Sequence, residues 1–311
     1  MLQAKGGCYE YRRPCFSVRR TGKSISKAAA RAFVSQQCAS KHIQNLENRY
    51  GVPLLQRRPH FALTEPGQEL FRALQQIYLL ESGVVGRIAE LSGGSTGAFT
   101  LGINASRARW LLPAVLREYR QLYPHVHISI RSEDTARLAQ LLLQGEVDLI
   151  VGVNSQAEPR FHVTPLITES VYFAAAPQLL QRFLPDLSPQ ATALSLAQIS
   201  RLPLCLNLPG STLSEVLARC AAQHNIRLQC GVSTSDYGVQ LALCLAGECG
   251  FFCPASLLQP VEAARSLRIF TVPELQEQLH IECIRTAAAV QPAYIRAFES
   301  ALLQVCRSLT L

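Results

Sequence analysis

Ser35-Gln36-Gln37-Cys38-Ala39-Ser40-Lys41-His42-Ile43-Gln44-Asn45-Leu46-Glu47 is the stretch on which the reading of this chain turns. Ser35 is a residue type that caps helix starts, and Ala39, Ile43 and Leu46 recur at spacings of four and three, which puts them on one buried face of a helix. The opposite face presents Gln36, Gln37, Ser40, Lys41 and Gln44. These hydrogen-bonding groups suit base edges and phosphates in a major groove, whereas a helix lying on a membrane would expose Trp, Phe or Leu. The pattern predicts a helix that reads double-stranded DNA.

Working outward, Ser24-Ile25-Ser26-Lys27-Ala28-Ala29-Ala30-Arg31-Ala32-Phe33 combines capping serines with strong helix formers and predicts a short preceding helix. On the other side Gly51-Val52-Pro53-Leu54-Leu55 ends the reading helix. Gln56 to Thr64 then reads as a small hairpin, with Arg57 and Arg58 near its tip and able to reach a minor groove or a phosphate. The charge agrees with this placement. Residues 1–91 carry 14 Lys and Arg against 6 Asp and Glu, while residues 92–311 carry 16 of each, so the whole excess of +8 sits in the first segment. Clustered positive charge speeds encounter with a polyanion and displaces counterions from phosphates.

From Glu65 to Leu91 the sequence is helix-like, with Leu70, Ile77, Val84 and Leu91 at intervals of seven and Leu74 and Ile88 on the neighbouring line. Such a helix, about 40 Å long, matches the span of one DNA turn and predicts a strut that pairs two copies, although Gly83, Gly86 and Glu81 interrupt it and an amphipathic helix packed on its own domain is the alternative. Ser92-Gly93-Gly94-Ser95-Thr96-Gly97 follows as a hinge. Beyond it strand and helix signals alternate: Ala98–Ile103, Leu111–Leu122, Val126–Arg131, Ala136–Leu143 and Val147–Val153. That alternation predicts a mainly parallel sheet with crossover helices, whose ligands bind at the carboxyl ends of the strands. Those ends carry Asn104 and Ser106, and then Thr135, each beside the start of a helix, where free amides favour a small anion. As helix caps, Ser106 and Thr135 would need no ligand.

The ordered run Ser24-Ile25-Ser26-Lys27-Ala28-Ala29, Val34-Ser35-Gln36, Ser40, Ile43, Leu46-Glu47, Gly51-Val52-Pro53-Leu54, Arg57 and Leu63-Thr64-Glu65-Pro66-Gly67 resembles the DNA-binding signature of LysR-type transcriptional regulators. Leu101-Gly102-Ile103, Leu112-Pro113, Tyr123-Pro124, Gly145-Glu146-Val147-Asp148-Leu149 and Ala246 to Pro254 resemble the effector domains of the same family. The resemblance implies an α/β protein in three parts. These are a winged helix-turn-helix (1–64), a linker helix and hinge (65–96) that pairs antiparallel between subunits, and a two-lobed domain (97–311) like the periplasmic solute-binding proteins. Lobe I would hold 97–163 and 267–311, and lobe II 164–266. Ser35, Gln36, Gln37, Ser40, Lys41 and Gln44, with Arg57 and Arg58, would meet DNA. Ala28, Ala29, Val34, Ile43, Leu46 and Leu54 would form the core. Ser106 and Thr135 would face Asn207, Gly210, Ser211 and Thr212 across the cleft. The chain departs from the family at Gln37, where proline is usual, and at Leu55, where phenylalanine is usual. The family's first helix should precede Ser24, yet residues 9–20 contain Pro14 and the pairs Arg12-Arg13 and Arg19-Arg20.

The expected function is therefore a cytoplasmic, non-enzymatic regulator whose operator binding responds to a small anionic metabolite. Its partners would be duplex DNA, the effector, itself as homodimer or homotetramer, and RNA polymerase as a further candidate; no membrane, metal or cofactor is expected. Two alternatives stay open. One is a thiol-based redox sensor of the same family, invited by 11 cysteines, although the sensing run reads Gly210-Ser211-Thr212-Leu213 here. The other is a cytoplasmic small-molecule-binding protein without a DNA function. No stretch of 18 apolar residues predicts a membrane span, no export signal opens the chain, and neither Cys244, Cys249 and Cys253 nor His125 and His127 have zinc-ligand spacing.

Overall fold

A computed structural model describes residues 35–56, 62–74, 77, 84, 96–257, 266–287 and 291–309. The chain divides into two compact units, Met1–Ser82 and Gly83–Leu311.

In the first unit α1 (Gln36–Tyr50) starts where the Ser35 hydroxyl accepts the Cys38 N–H at 3.2 Å. It stops at Gly51, whose φ of +68° belongs to the left-handed region that glycine enters without strain. Ala39, Ile43 and Leu46 are its buried residues. Two short strands follow, β1 (Leu55–Gln56) and β2 (Ala62–Leu63), antiparallel with Leu55 opposite Leu63. The Glu47 carboxylate accepts the N–H groups of Leu54 at 2.9 Å and Leu55 at 3.3 Å, satisfying donors that the Gly51–Pro53 turn takes out of the helix. Thr64 donates its hydroxyl to Pro53 O at 2.7 Å and accepts the Gly67 N–H at 3.1 Å, so it both ties off the hairpin and starts α2 (residues 65–74). Ile43, Leu54, Leu55, Leu63, Leu70, Phe71 and Leu74 surround one small apolar cavity.

That packing corrects the expectation for the linker. Leu74 is only 7% exposed and Leu70 is half-buried, both inside their own unit, so Leu74 is not free to join a seam between copies. Their apolar surface is used where the helix leaves the hairpin. Ile77 and Val84 are helical and exposed at 40% and 55%. Ile88, Leu91, Arg57, Arg58, the helix read over 24–33 and the core positions Ala28, Ala29 and Val34 lie outside the described residues.

The second unit contains two five-stranded sheets built to one plan. In the first, β3 (Thr96–Ile103) lies parallel to β4 (His125–Arg131) and β5 (Leu149–Val153), while β12 (Leu279–Thr286) runs antiparallel to β5 and to β6 (Phe161–Glu169). In the second, β8 (Leu204–Leu206) lies parallel to β9 (Cys230–Ser233) and β10 (Gly250–Pro254), and β7 (Val171–Ala175) runs antiparallel to β10 and β11 (Arg268–Phe270). The parallel members are joined by crossover helices: α3 (Ala105–Leu122) and α4 (Thr135–Leu143) in one lobe, α7 (Thr212–Gln223) and α8 (Tyr237–Leu245) in the other. Two shorter helices, α5 (Pro177–Phe183) and α6 (Leu196–Ile199), precede β8. Each sheet is thus mixed rather than mainly parallel. The lobe borders also fall later than the sequence suggests, because β6 stays with the first sheet to Glu169 and β11 pairs with β7 in the second.

The C-terminal α9 (Ala293–Leu309) packs beside α3. Phe298 meets Phe99 and Tyr119 edge-on, each with ring centroids 5.1 Å apart, and Tyr294 stacks on Phe99 at 6.2 Å. In lobe II, Phe173 and Phe252 meet edge-on at 5.2 Å. Edge-to-face rings add to the burial that holds each lobe.

A Cβ placed on Gly67 would lie 2.1 Å from the Leu54 carbonyl oxygen, so α2 can approach β1 this closely only with glycine there. Gly67→Ala should destabilise the first unit by about 1–3 kcal/mol, as overpacking does, with the unfolding of the second unit unchanged. Denaturant titration followed by far-ultraviolet circular dichroism checks this.

Candidate functional site

The two lobes flank a partly open cavity of about 80 Å³. It is lined by Asn104, Arg107, Asp134, Thr135 and Val153 from the first sheet's side and by Asn207, Ser211, Thr212, Leu213 and Tyr237 from the second, with Pro254, Leu257 and Leu279 closing it. Most of these positions follow the carboxyl end of a parallel strand, where strand and helix arrangement leaves a crevice.

Five of the seven sequence-predicted effector residues, Asn104, Thr135, Asn207, Ser211 and Thr212, line this cavity. Asn104 caps α3, its Oδ1 accepting the Ser106 N–H at 3.0 Å. Ser106 itself is buried and not among the lining residues; its hydroxyl accepts the Tyr237 N–H at 3.3 Å, fastening the start of α8 to the start of α3. Asp134, not Thr135, caps α4, accepting the Arg137 N–H at 2.7 Å. Thr135 Oγ1 accepts the Val153 N–H at 3.0 Å, and Thr212 Oγ1 donates to Val153 O at 3.4 Å, so threonines of the two lobes meet at the end of β5. Ser211 caps α7 through the Ser214 N–H at 3.2 Å. Gly210 is exposed with φ of +87° and turns the chain beside the cavity without lining it.

Sequence reasoning passed over the charged group in the cavity wall. Arg107 follows Ser106 on α3, is 6% exposed, and donates from Nη2 to Glu169 Oε1 at 3.0 Å; Glu169 Oε2 accepts the Ser256 N–H at 3.2 Å. Two residues on, Arg109 grips Asp236 with both terminal nitrogens at 3.2 and 2.9 Å, and this guanidinium holds the Asp236 carboxyl below the ordinary carboxylate value. Desolvation pushes the Tyr237 phenol above its ordinary value, with Cys253 adding to the effect and Arg107 and the Asn207 hydrogen bond opposing it. The signal that could have found Arg107 is an arginine in an otherwise apolar helix face that must be buried, which demands an acidic partner.

On α1, Ser35, Gln36, Gln37, Lys41 and Gln44 are exposed and Ser40 is half-buried, while Ala39, Ile43 and Leu46 face inward. No acidic residue stands in the first turn. The outward face offers donors and acceptors without a carboxylate to repel phosphate.

Among the described residues nine cysteines are free, and all but Cys38 and Cys230 are buried. Burial pushes the Cys244 and Cys249 thiols up to about 12. No group of three or more His, Cys, Asp and Glu side chains among them is placed to hold a metal, and no described helix is long and apolar enough to cross a membrane.

Comparison with known proteins adds the following. The family model described as the LysR substrate binding domain matches residues 92–307, and that described as the bacterial regulatory helix-turn-helix protein of the lysR family matches residues 15–68. The HTH-type transcriptional regulator ArgP of Proteus mirabilis is 35% identical over 162 residues, covering 52% of this chain and 53% of the relative. The chain spans about half the length of the curated relatives it matches. In fold it is similar to ArgP from Mycobacterium tuberculosis, with a TM-score of 0.68 at 20% identity over 95% of this chain and 96% of the other. It is also similar to CbnR crystallised with its target DNA, with a TM-score of 0.58 at 20% identity over 96% of this chain and 99% of the other.

The Arg107–Glu169 pair, with side chains 7% and 4% exposed, sets a stability test. Glu169→Ala strands a buried guanidinium and should cost about 3–5 kcal/mol, whereas the double exchange Arg107→Met with Glu169→Leu should recover most of that loss. Equilibrium denaturation of the three proteins measures both.

Proposed function

Since the chain belongs to the LysR family of bacterial helix-turn-helix regulators, we propose that it is a sequence-specific DNA-binding transcriptional regulator whose operator binding responds to a small-molecule effector. The observation that carries this reading is α1: a helix with three buried apolar residues on one side and exposed Gln36, Gln37, Lys41 and Gln44 on the other. In a major groove the glutamines would pair with base edges and Lys41 with phosphate, while Arg57 and Arg58 at the wing would reach the backbone or minor groove. Groove binding by symmetric half-sites calls for a homodimer or homotetramer, with Ile77 and Val84 as the exposed apolar helix positions among the described linker residues. RNA polymerase is the remaining macromolecular partner. The protein acts in the cytoplasm, without catalysis and without a cofactor.

The effector is a small anion. Four helices, α3, α4, α7 and α8, begin at or beside the cavity, and helix starts favour negative charge. Closing or opening the lobes around it shifts how copies pair and hence the spacing or bend imposed on the operator. The shift is limited to the difference in effector affinity between the two states.

Selection of genomic fragments by the purified chain, then affinity measured against random duplex over a range of salt, tests the reading. Gln37→Ala should lose about 1–3 kcal/mol on the selected fragment and relax preference at one base pair. Lys41→Ala should weaken all duplexes alike and lower the salt slope by about 1. Equal affinity for selected and random duplex would overturn it.

A further inference from the structure

One turn apart on α1, Cys38 Sγ and His42 Nε2 lie 3.1 Å apart. With its proton on Nδ1, the imidazole accepts from the thiol and can take that proton. The pair sits on the flank of the helix between the outward residues Gln37 and Lys41 and the buried Ala39 and Ile43. Cys38 is half-buried, and the other described cysteine that is not buried, Cys230, donates its thiol to the Val232 carbonyl at 3.2 Å, a group that cannot take the proton away. Cys38 also occupies the first turn of α1, where its own N–H is held by Ser35, and it lies in the segment that carries all of the net positive charge. A helix start and a neighbouring imidazole are surroundings that make a cysteine reactive.

We propose that Cys38 and His42 form a peroxide-reactive dyad on the DNA-reading helix, and that oxidation of Cys38 releases the DNA. His42 Nε2 takes the thiol proton, and the sulfur attacks one oxygen of hydrogen peroxide. The S–O bond forms as the O–O bond breaks, and the departing hydroxide recovers the proton from the imidazolium and leaves as water. Sulfur ends as a sulfenic acid, oxidised by two electrons, and the peroxide is reduced. Two equivalents of a small thiol reverse it, giving the free cysteine, a small disulfide and water. The added oxygen stands beside Gln37 and Lys41 and disturbs their approach to the groove. The release of DNA rests on the regulator reading of α1; the reactivity of the dyad does not. This site is separate from the Gly210–Leu213 run, which has threonine at its third position.

The full chain, reduced and then pulsed with iodoacetamide, is mapped peptide by peptide. Cys38 should label faster than the more exposed Cys230, and His42→Ala should slow Cys38 on the order of tenfold, less than a base supplies in a closed active site, without changing Cys230. Circular dichroism confirms that the variant keeps its helix content. On genomic fragments selected with the reduced chain, hydrogen peroxide should abolish binding, dithiothreitol should restore it, and Cys38→Ala should bind whether or not peroxide is added. Labelling of Cys38 no faster than Cys230, an unchanged rate in His42→Ala, or equal loss of DNA by the native chain and Cys38→Ala overturns the dyad. If the reduced chain selects no fragments, the regulator reading fails instead, and the labelling rates still decide whether the dyad is reactive.

Discussion

Every helix starts with N–H groups that it cannot satisfy itself, and the two-lobed unit is organised around that constraint. Two parallel strands of each sheet run into α-helices, and each of the four helices so placed is capped by a side chain: Asn104 for α3, Asp134 for α4, Ser211 for α7 and Asp236 for α8. Because the parallel strands of both sheets point their carboxyl ends inward, the caps come together from opposite sides. The crevice between them is where unsatisfied amides, helix dipoles and short polar side chains are concentrated.

The same starts hold the lobes to one another. Ser106 and Arg109, one and four residues past the α3 start, reach Tyr237 and Asp236 at the start of α8, and Thr212 reaches Val153 at the end of β5. Beneath them the Arg107–Glu169 pair is sealed from water, with Glu169 also holding the Ser256 N–H. Polar groups committed to both lobes make the cavity's shape sensitive to small displacements on either side.

Much of this was legible in the sequence where periodicity or capping chemistry was strong. Ser35, Ala39, Ile43, Leu46 and Gly51 locate α1 by spacing alone, and the strand ends point to Asn104 and Thr135. The lobe borders were not legible, because β6 and β11 change neighbours by pairing, which leaves no mark on local pattern. Leu74 was misread for a related reason: a heptad position that packs on its own domain has the same sequence as one that packs on a partner. Arg107 escaped because its role depends on Glu169, far along the chain. The exchange of roles between Thr135 and Asp134 turned on a one-residue shift in where the helix begins.

The ion pair within the first lobe and the one between the lobes differ in exposure. Arg107 and Glu169 are shielded, while Arg109 and Asp236 stand open at 57% and 38%. Mobile ions screen an open pair and barely touch a shielded one. The Arg107–Glu169 pair is therefore nearly blind to added salt, whereas the Arg109–Asp236 pair, which ties α3 to the start of α8, is exposed to it. Rising ionic strength would thus loosen one tie between the lobes while leaving the sealed pair beneath it almost as it was.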